Sequence, residues 1–395
     1  MSGALEAHLD VPVDGPPADR LSIEIGTGRL TLACENGADI AELCAVAARA
    51  NPKRGFLIVS KILGRHVPTA PARMRQAMDA LAAMLPADPA EPVTFLGMAE
   101  TATALGQGVF AAYRRAHPGV RALYLQTSRQ RVAGSLVLAS FEEGHSHATT
   151  HLVQVADAAM AALAAETRTL VIVDDECSTG GTFLAGAAAM RAAMPHVERI
   201  ETCCFTDWSG KSYYPAMPAP TTGHALVHGS MSWEPGASFA APALASGSNR
   251  PGDAPAHGMR SRTGLRDPEA AQRDPIAVRP GERVLVLGDG EHSYEALRVA
   301  EEVDRGGGVA AVQCITRSPA LLGHAMQSVS RFSDAYGSGA PCFLYNILSH
   351  APDRILIVSE VAGDQQVEAQ AALALLGSSV PVEQVHCRYA RDARA

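Results

Sequence analysis

The chain of 395 residues is long enough for two or three ordinary domains, and its 47% hydrophobic and 19% charged residues are typical of a globular protein. Its net charge of −8 argues against a basic nucleic-acid-binding surface over the whole molecule. No apolar run approaches the roughly 18 residues of a membrane span, so neither nucleic acid nor membrane is expected as a partner. The eight cysteines form no CxxC pair, which favours reduced thiols and a cytoplasmic location.

Apolar runs alternate with helical patterns through the first part of the chain. Strands are predicted within LSIEIGTGRLTLACEN, GFLIVS, PVTFLG, RALYLQTS, TLVIV and RIETCCF. Helices are predicted from about Asp39 to just before Pro52, and within APARMRQAMDALAAMLP, ATALGQGVFAAYRRA, THLVQVADAAMAALAAE and FLAGAAAMRAAM. This alternation indicates an α/β fold in which helices cover both faces of a parallel sheet.

Residues 235–280 interrupt the alternation, because they are rich in Pro, Gly, Ala and Ser. The strand-and-helix pattern resumes at ERVLVLGDGEHSYEALRVAEEVDRG. We therefore predict a first α/β domain over residues 1–234, a linker or surface excursion over 235–280, and a second, Rossmann-like α/β domain over 281–395.

Two carboxylates end one of the predicted buried strands. Asp174 and Asp175 follow the apolar run LVIV, and Ser178-Thr179-Gly180-Gly181-Thr182 then leads into a helix. Ligands of open α/β sheets bind at the carboxyl ends of strands. Backbone N–H groups at a helix N-terminus, with glycines that allow close approach, suit a phosphate. A ribose 5-phosphate reconciles the acids with this loop, because its 2- and 3-hydroxyls can donate to the carboxylates.

This stretch resembles the 5-phosphoribosyl-1-diphosphate (PRPP) signature of type I phosphoribosyltransferases, with orotate phosphoribosyltransferase-like members as the related branch. An ordinary Gly-rich turn is the alternative. The resemblance implies a type I phosphoribosyltransferase fold with a hood. It implies 5-phosphate binding by Cys177, Ser178, Thr179, Gly180, Gly181 and Thr182. It also implies Mg²⁺ as cofactor, in contact with Asp174 and Asp175 through PRPP and water.

The same resemblance assigns a diphosphate loop after the strand Val93–Leu96. Ala99, Glu100 and Thr101 are its expected diphosphate contacts, with Thr127 and Ser128 further along the chain. Arg129, in the segment expected to close over the site, is the candidate to neutralise the departing diphosphate. Asp174, Asp175 and Arg129 are therefore candidate catalytic residues.

Two polar clusters allow more than one interpretation. Glu142, Glu143, His145, His147 and His151 crowd one short segment, which could bind a transition metal, act on the acceptor base or be a solvated loop. His145 and His147 are the leading candidates for acid–base catalysis. Lys61, Arg65 and His66 follow a strand and could contact the acceptor or a phosphate, or form a surface turn.

The second half carries two further loops at strand ends. Gly288-Asp289-Gly290-Glu291 does not complete a GxGxxG motif, so a dinucleotide site is weakly indicated. Thr316-Arg317-Ser318-Pro319 suits an anion or phosphate. These residues resemble the TRSP domain, which follows phosphoribosyltransferase domains and is associated with tellurite-resistance (Ter) stress operons. The candidate site here comprises Gly288, Asp289, Gly290, Glu291, Thr316, Arg317 and Ser318.

The sequence thus predicts an Mg²⁺-dependent phosphoribosyltransferase that joins the ribose 5-phosphate of PRPP to an unidentified base-like acceptor. The resemblance implies a nucleotide-like metabolite of a stress pathway as the product, and a homodimer. Two alternatives stay open at this point. One is a non-catalytic PRPP- or nucleotide-binding regulatory protein, and the other is a metal-responsive stress component built on the histidine cluster.

Overall fold

The computed structural model describes residues 19–49, 51, 54–142, 150–236, 253–254, 260–333, 341–359 and 380–389. The helices and strands up to residue 236 are, in chain order, β1 Arg20–Ile25, β2 Gly28–Cys34, α1 Ile40–Leu43, β3 Cys44–Ala48, β4 Phe56–Ser60, α2 Pro71–Met84, β5 Val93–Gly97, α3 Thr103–Ala116, β6 Ala122–Ser128, β7 Arg131–Val132, β8 Leu136–Glu142, β9 Thr150–Val155, α4 Ala158–Ala165, β10 Thr169–Val173, β11 Glu176–Cys177, α5 Gly181–Met190, β12 Arg199–Asp207, the 3₁₀ helix Tyr214–Ala216, and β13 Thr221–Pro235.

One large sheet organises this part of the chain, in the strand order β1-β2-β13-β12-β10-β5-β6-β9-β8. The strands from β13 to β6 run parallel, with β10 in the middle. All five residues of β10 are buried, as expected for an apolar, β-branched run covered on both faces of a parallel sheet. The carboxyl ends of β5, β6, β10 and β12 consequently meet at one edge, where the predicted site loops lie. The α/β fold with a parallel sheet is confirmed.

The helix predicted from Asp39 to before Pro52 is wrong. Asp39 does begin a helix, since its side chain accepts a hydrogen bond from the Ala41 amide at 2.9 Å, but α1 ends at Leu43. The chain then forms β3, which pairs antiparallel with β4 from Cys44 opposite Ser60 onward. Strand pairing and burial of this alanine-rich segment outweigh the helix propensity of alanine, because propensity is a weak preference that tertiary contacts override.

The helix predicted from Thr150 onward is correct only in its second half. Thr150–Val155 forms β9, which pairs antiparallel with both β6 and β8, and α4 begins at Ala158 with an N-cap from Asp157. Alternate residues of β9, His151, Val153 and Val155, are fully buried. Gln154 is fully buried as well, so only the first half of β9 shows the alternation expected of a strand.

The second half forms a smaller parallel sheet in the order β17-β16-β20-β21, which confirms the second α/β unit. Its elements and the short ones before it are β14 Asp253–Ala254, α6 Arg260–Thr263, β15 Ala271–Gln272, β16 Arg283–Gly288, α7 Tyr294–Arg305, β17 Val309–Cys314, β18 Val329–Ser333, β19 Pro341–Tyr345, the 3₁₀ helix Ile347–His350, β20 Arg354–Ser359, β21 Val382–His386, and β22 Arg388–Tyr389.

The two halves share one hydrophobic core. Helix α7 packs against α2 and α3, and its Leu297 and Val303 belong to the same buried cluster as Phe95 and Phe110 of the large sheet and its helices. Part of the span 235–280 is also packed in, since Ser261, Arg262, Thr263 and Leu265 are buried and Leu265 bridges to Tyr124. Among the described residues, no helix combines the length and apolar character that a membrane crossing requires.

Candidate active site

The two acids lie where the sequence predicts them, directly after β10. The Asp174 N–H donates to the Cys203 carbonyl at 2.9 Å, which holds the first acid to the neighbouring strand β12. The Asp175 backbone N–H donates to Asp174 Oδ1 at 2.9 Å, which fixes the Asp174 side chain against the backbone of Asp175. Both residues are partly buried at the sheet edge. Two carboxylates are therefore held at the carboxyl end of the central strand.

The charge state of this pair depends on its surroundings. Burial, followed by the negative charge of Glu176, raises the pKa of Asp175 to about 6. Glu176 is itself ion-paired with Arg54, whose Nη2 lies 2.5 Å from Glu176 Oε1. A small pocket opens beside Asp175 and Glu176, and it is lined by Leu43, Cys44, Ile58, Ser60, Ile62, Phe205, Thr206, Leu226 and Val227. Asp175 is therefore mostly ionised at neutral pH, and its charge is lost as the pH falls through about 6.

The loop after the acids is shaped by one glycine. Gly180 has φ +80°, a conformation that residues with a Cβ rarely adopt, and it precedes α5, which begins at Gly181. A Cβ at Gly180 would also overlap the ring of Tyr213, which packs on the loop. The first turn of α5 follows directly on this loop, in which Gly180 is buried and Thr179 is exposed. The backbone N–H groups of that turn have no partners within the helix. This arrangement suits an anion.

We expect Gly180→Ala to lower the free energy of unfolding by about 2 kcal/mol, because it combines a left-handed backbone with a steric overlap. Gly181→Ala is the matched comparison. The nearest atom to a Cβ there is Thr179 Oγ1 at 3.5 Å, an ordinary contact, and alanine is favoured over glycine in a helix. Denaturant unfolding of both variants measures the difference. Equal stability of the two would contradict this account of the loop.

The remaining residues predicted to bind the 5-phosphate do not all point to the loop. Cys177 is buried in β11, where burial and the neighbouring Asp207 raise the pKa of its thiol, so the thiol stays neutral. Its carbonyl accepts from the Trp208 amide at 2.8 Å. The structure therefore gives Cys177 a role in pairing the loop with β12, while Ser178, Thr179 and Thr182 lie in the loop and first helical turn.

The predicted diphosphate loop lies beside the acids, after β5. The peptide bond between Ala99 and Glu100 is cis. The Ala99 N–H donates to Thr127 Oγ1 at 2.7 Å, and the Thr127 hydroxyl also bonds His151 Nδ1 at 2.9 Å. Thr127 is fully buried, so it supports the loop from behind. Thr101 follows in the turn that leads to α3.

Arg129 lies over this loop. Its Nη2 donates to the Ala99 carbonyl at 3.3 Å and its Nη1 to the Thr150 carbonyl at 3.1 Å. The neighbouring Ser128 is fully buried and donates to Glu291 Oε2 at 2.6 Å. The Arg129 side chain thus contacts the diphosphate loop. The Ser128 hydroxyl instead donates to a residue of the second half of the chain.

Two members of the histidine cluster, Glu142 and His151, lie among the described residues. Glu143, His145 and His147 lie outside the described residues. His151 is fully buried in β9, stacked on Phe141 with ring centroids 4.6 Å apart and bonded to Thr127. Within the described ranges, no group of three His, Cys, Asp or Glu side chains gathers to hold a metal. The carboxylate oxygens of Asp174 and Asp175 are of the type that Mg²⁺ binds, together with oxygens of a ligand and water.

Glu100 joins the loops of the two halves. Its carboxylate forms an ion pair with Arg65, which is 2% exposed, and accepts the Arg317 N–H at 3.0 Å. Arg317 Nε lies 3.8 Å from the second oxygen. Arg65 Nη1 donates to the Gly290 carbonyl at 3.0 Å. Arg65 is thus a buried link between the two halves of the chain. The alternative that Arg65 lies in a surface turn is therefore wrong.

The other residues of the predicted second site shape these loops. Gly288 ends β16, and Gly290 has a positive φ of +54°. Asp289 and Thr316 are buried, and the Ser318 N–H donates to Thr316 Oγ1 at 3.1 Å. The carboxyl edge of the small sheet therefore lies against the diphosphate loop. The two sites that the sequence predicts separately are contiguous.

Sequence reasoning missed Arg262, Thr103 and Ser293 altogether. Arg262 Nε lies 2.6 Å from Glu291 Oε2, and the Thr103 and Ser293 hydroxyls are 2.8 Å apart. Each pair joins residues far apart in the chain, and no local pattern marks either partner. Arg262 lies in the span predicted as a linker, where a buried arginine was not expected.

A parallel α/β sheet with two acids and a glycine-containing loop at the end of its central strand is the arrangement that the sequence predicts for a phosphoribosyltransferase domain. A family model described as phosphoribosyl transferase matches residues 43–228, and one described as the TRSP domain C-terminal to it matches residues 254–376. The chain accordingly consists of a phosphoribosyltransferase domain followed by a TRSP domain. A comparison with curated proteins finds no match.

Solved structures similar to this chain include three adenine phosphoribosyltransferases. The enzyme from Rhodothermus marinus DSM 4252 is 15% identical, with a TM-score of 0.30 over 48% of this chain and 96% of that chain. The Thermoanaerobacter pseudethanolicus ATCC 33223 enzyme is 17% identical, with a TM-score of 0.32 over 47% and 95%. The Trypanosoma brucei enzyme, in complex with AMP, pyrophosphate and ribose-5-phosphate, is 12% identical, with a TM-score of 0.32 over 47% and 77%.

Proposed function

We propose that the protein is an Mg²⁺-dependent phosphoribosyltransferase that transfers the 5-phosphoribosyl group of PRPP to a nitrogenous, base-like acceptor. The observation that carries the proposal is the position of Asp174 and Asp175 directly after β10, next to the anion-type loop at the start of α5. A ligand with a phosphate on one side and vicinal hydroxyls on the other satisfies both groups at once.

In this proposal the loop of residues 178–182 holds the 5-phosphate, and Asp174 and Asp175 accept hydrogen bonds from the ribose hydroxyls. The diphosphate lies against Ala99, Glu100 and Thr101. The bond from C1 to the diphosphate oxygen breaks, a nitrogen of the acceptor forms the new bond to C1, and the acceptor proton passes to a base. Mg²⁺, held by the acids through PRPP oxygens and water, would offset the diphosphate charge.

The chain's own residues would act mainly by placing and stabilising charge. The carboxylates offset positive charge that grows on the ribose ring as the C1 bond lengthens. In this proposal the Arg129 guanidinium takes up negative charge on the leaving diphosphate, which is supported by its hydrogen bond to the Ala99 carbonyl in the diphosphate loop. His145 and His147 remain the predicted proton acceptors.

Binding of Mg²⁺ and PRPP should weaken as the pH falls below about 6. The fold raises the pKa of Asp175 to about that value, so at lower pH the carboxyl is protonated and its hydrogen bond from the ribose hydroxyl loses the strength of a charged acceptor. Calorimetric titration between pH 5 and 8 measures the slope. Because PRPP phosphates also titrate there, Asp175→Asn provides the reference, and an identical slope for both proteins would contradict the role of Asp175.

Diphosphate release from PRPP and Mg²⁺, measured with a panel of purine, pyrimidine, nicotinate-like and other nitrogen heterocycles, tests the function. The proposal predicts release that depends on one acceptor class. Tight PRPP binding without release on any acceptor would favour the regulatory, non-catalytic alternative. Full function in a metal-stripped preparation would exclude both the Mg²⁺ requirement and the metal-responsive alternative.

The wider setting also belongs to this proposal. The nucleotide-like product of a stress response rests on the resemblance to the tellurite-resistance-associated family, the homodimer on the resemblance to type I phosphoribosyltransferases, and the cytoplasmic location on the absence of CxxC pairs in the sequence. The domain boundaries at residues 234 and 281 are likewise proposed. We further propose that the strand-end loops of the TRSP domain, with Arg317, bind an anionic group of the product, the acceptor or a second phosphate.

A further inference from the structure

Glu291 of the TRSP domain is buried and binds Arg262 together with two residues of the transferase domain. Its carboxylate accepts hydrogen bonds from the Ser128 hydroxyl, the Arg129 backbone N–H and the Arg262 guanidinium, each at 2.6 Å. The Arg262 charge and these donors hold the pKa of Glu291 below its usual value despite burial. A charged carboxylate with three donors is a strong, directional anchor.

The TRSP loop of residues 290–293 also contacts residues at and next to the predicted diphosphate loop. The Gly290 carbonyl accepts from Arg65, the partner of Glu100 in the diphosphate loop. The Ser293 hydroxyl lies 2.8 Å from that of Thr103, the first residue of α3. Residues 290–293 therefore contact, directly or through Arg65, the end of β6, the loop after β5 and the start of α3.

We infer that the TRSP domain completes the transferase site, with Glu291 as a positioning residue that holds Ser128 and Arg129 for the diphosphate of PRPP. The inference rests on the proposed function. Glu291 is too deeply buried to meet the ligand itself, and it acts by fixing the backbone from which the Arg129 side chain extends over Ala99. Small displacements of such a group are costly in an active site.

A purely structural role for Glu291 predicts something different. If the carboxylate only joined the two domains, its loss would reduce the amount of folded protein and hence the apparent kcat. The KM values of the surviving molecules would be unchanged. A positioning role instead raises the KM for PRPP and leaves the KM for the acceptor unchanged, because Arg129 faces the diphosphate loop.

The test uses the full chain with Glu291→Gln, Glu291→Ala and the control Glu282→Gln. Glu282 is a carboxylate of the same domain with comparable burial, bonded to Arg354 and to the Arg279 amide, but it lies next to the opposite end of β16. We expect Glu291→Ala to raise the KM for PRPP about 10-fold or more, since hydrogen bonds to charged groups are lost. Glu291→Gln should raise it less, and Glu282→Gln should leave it at the wild-type value.

Hydrogen exchange provides a readout that does not depend on turnover. The Arg129 amide donates to Glu291, so exchange of the segment 122–130 should accelerate in Glu291→Ala and stay unchanged in Glu282→Gln. An active wild type whose Glu291→Ala variant keeps the KM for PRPP within about twofold overturns the positioning role alone. A wild type that neither binds PRPP nor releases diphosphate overturns the proposed function, and the positioning role with it.

Discussion

Replacement of both Asp174 and Asp175 by asparagine is expected to lower kcat/KM for PRPP by about a thousandfold. Each carboxylate would make a charge-assisted hydrogen bond of about 1.5–3 kcal/mol to a ribose hydroxyl. Both charges are also lost from beside a ring that becomes cationic in the transition state, and preorganised charge is a major contribution to catalysis. Steady-state diphosphate release measures the effect.

The control for this double variant is Asp304→Asn. Burial raises the pKa of Asp304 as it does that of Asp175, but Asp304 lies at the end of α7 in the TRSP domain and binds the Ala310 amide. Wild-type turnover is expected of this control. The free-energy loss in the double variant should be smaller than the sum of the losses in Asp174→Asn and Asp175→Asn, because the two acids act on one ligand. Unchanged turnover in the double variant would exclude the acids from the site.

Arg65→Ala is expected to lower the free energy of unfolding by about 3 kcal/mol. Arg65 is 2% exposed, and its removal would leave the Glu100 carboxylate without its nearest cation and the Gly290 carbonyl without its donor. Breaking a buried ion pair by removing one partner costs about 3–5 kcal/mol, and the Arg317 amide, which also bonds Glu100, places our value at the lower end.

The comparison for Arg65 is an ion pair on the surface. Arg115 and Asp79 are joined at 2.6 Å, but their side chains are 52% and 49% exposed. Exposed pairs contribute about 0–1 kcal/mol, so Arg115→Ala should change stability little. Chemical denaturation of both variants decides the matter. If Arg65→Ala were as stable as Arg115→Ala, Arg65 could not be the link between the domains.

The centre of the site could be predicted from the sequence because its signal is local. An apolar, β-branched run, two acids and a glycine-containing loop occupy adjacent positions, and the physical demands of a buried strand and a helix start act on neighbouring residues. The prediction of β10 and of a glycine-containing loop before a helix follows from that locality.

Local reasoning failed where long-range packing decides. The alanine-rich segment after Asp39 has helix propensity, yet it forms β3 because it pairs with β4. Glu291 and Arg129 are separated by 162 residues, and nothing near either residue indicates the other. The position of Arg65 after a strand correctly marked it as a candidate for a specific contact. Its burial against Glu100, however, depends on the packing of the second domain, which the local sequence does not indicate.

The most direct test of the account is a crystal structure of the full chain with PRPP and Mg²⁺. The account predicts the 5-phosphate at the amides of residues 178–182, the ribose hydroxyls at Asp174 and Asp175, and the diphosphate against Ala99–Thr101 beneath Arg129. PRPP bound elsewhere, or a crystal grown at saturating PRPP with this edge of the sheet unoccupied, would contradict it.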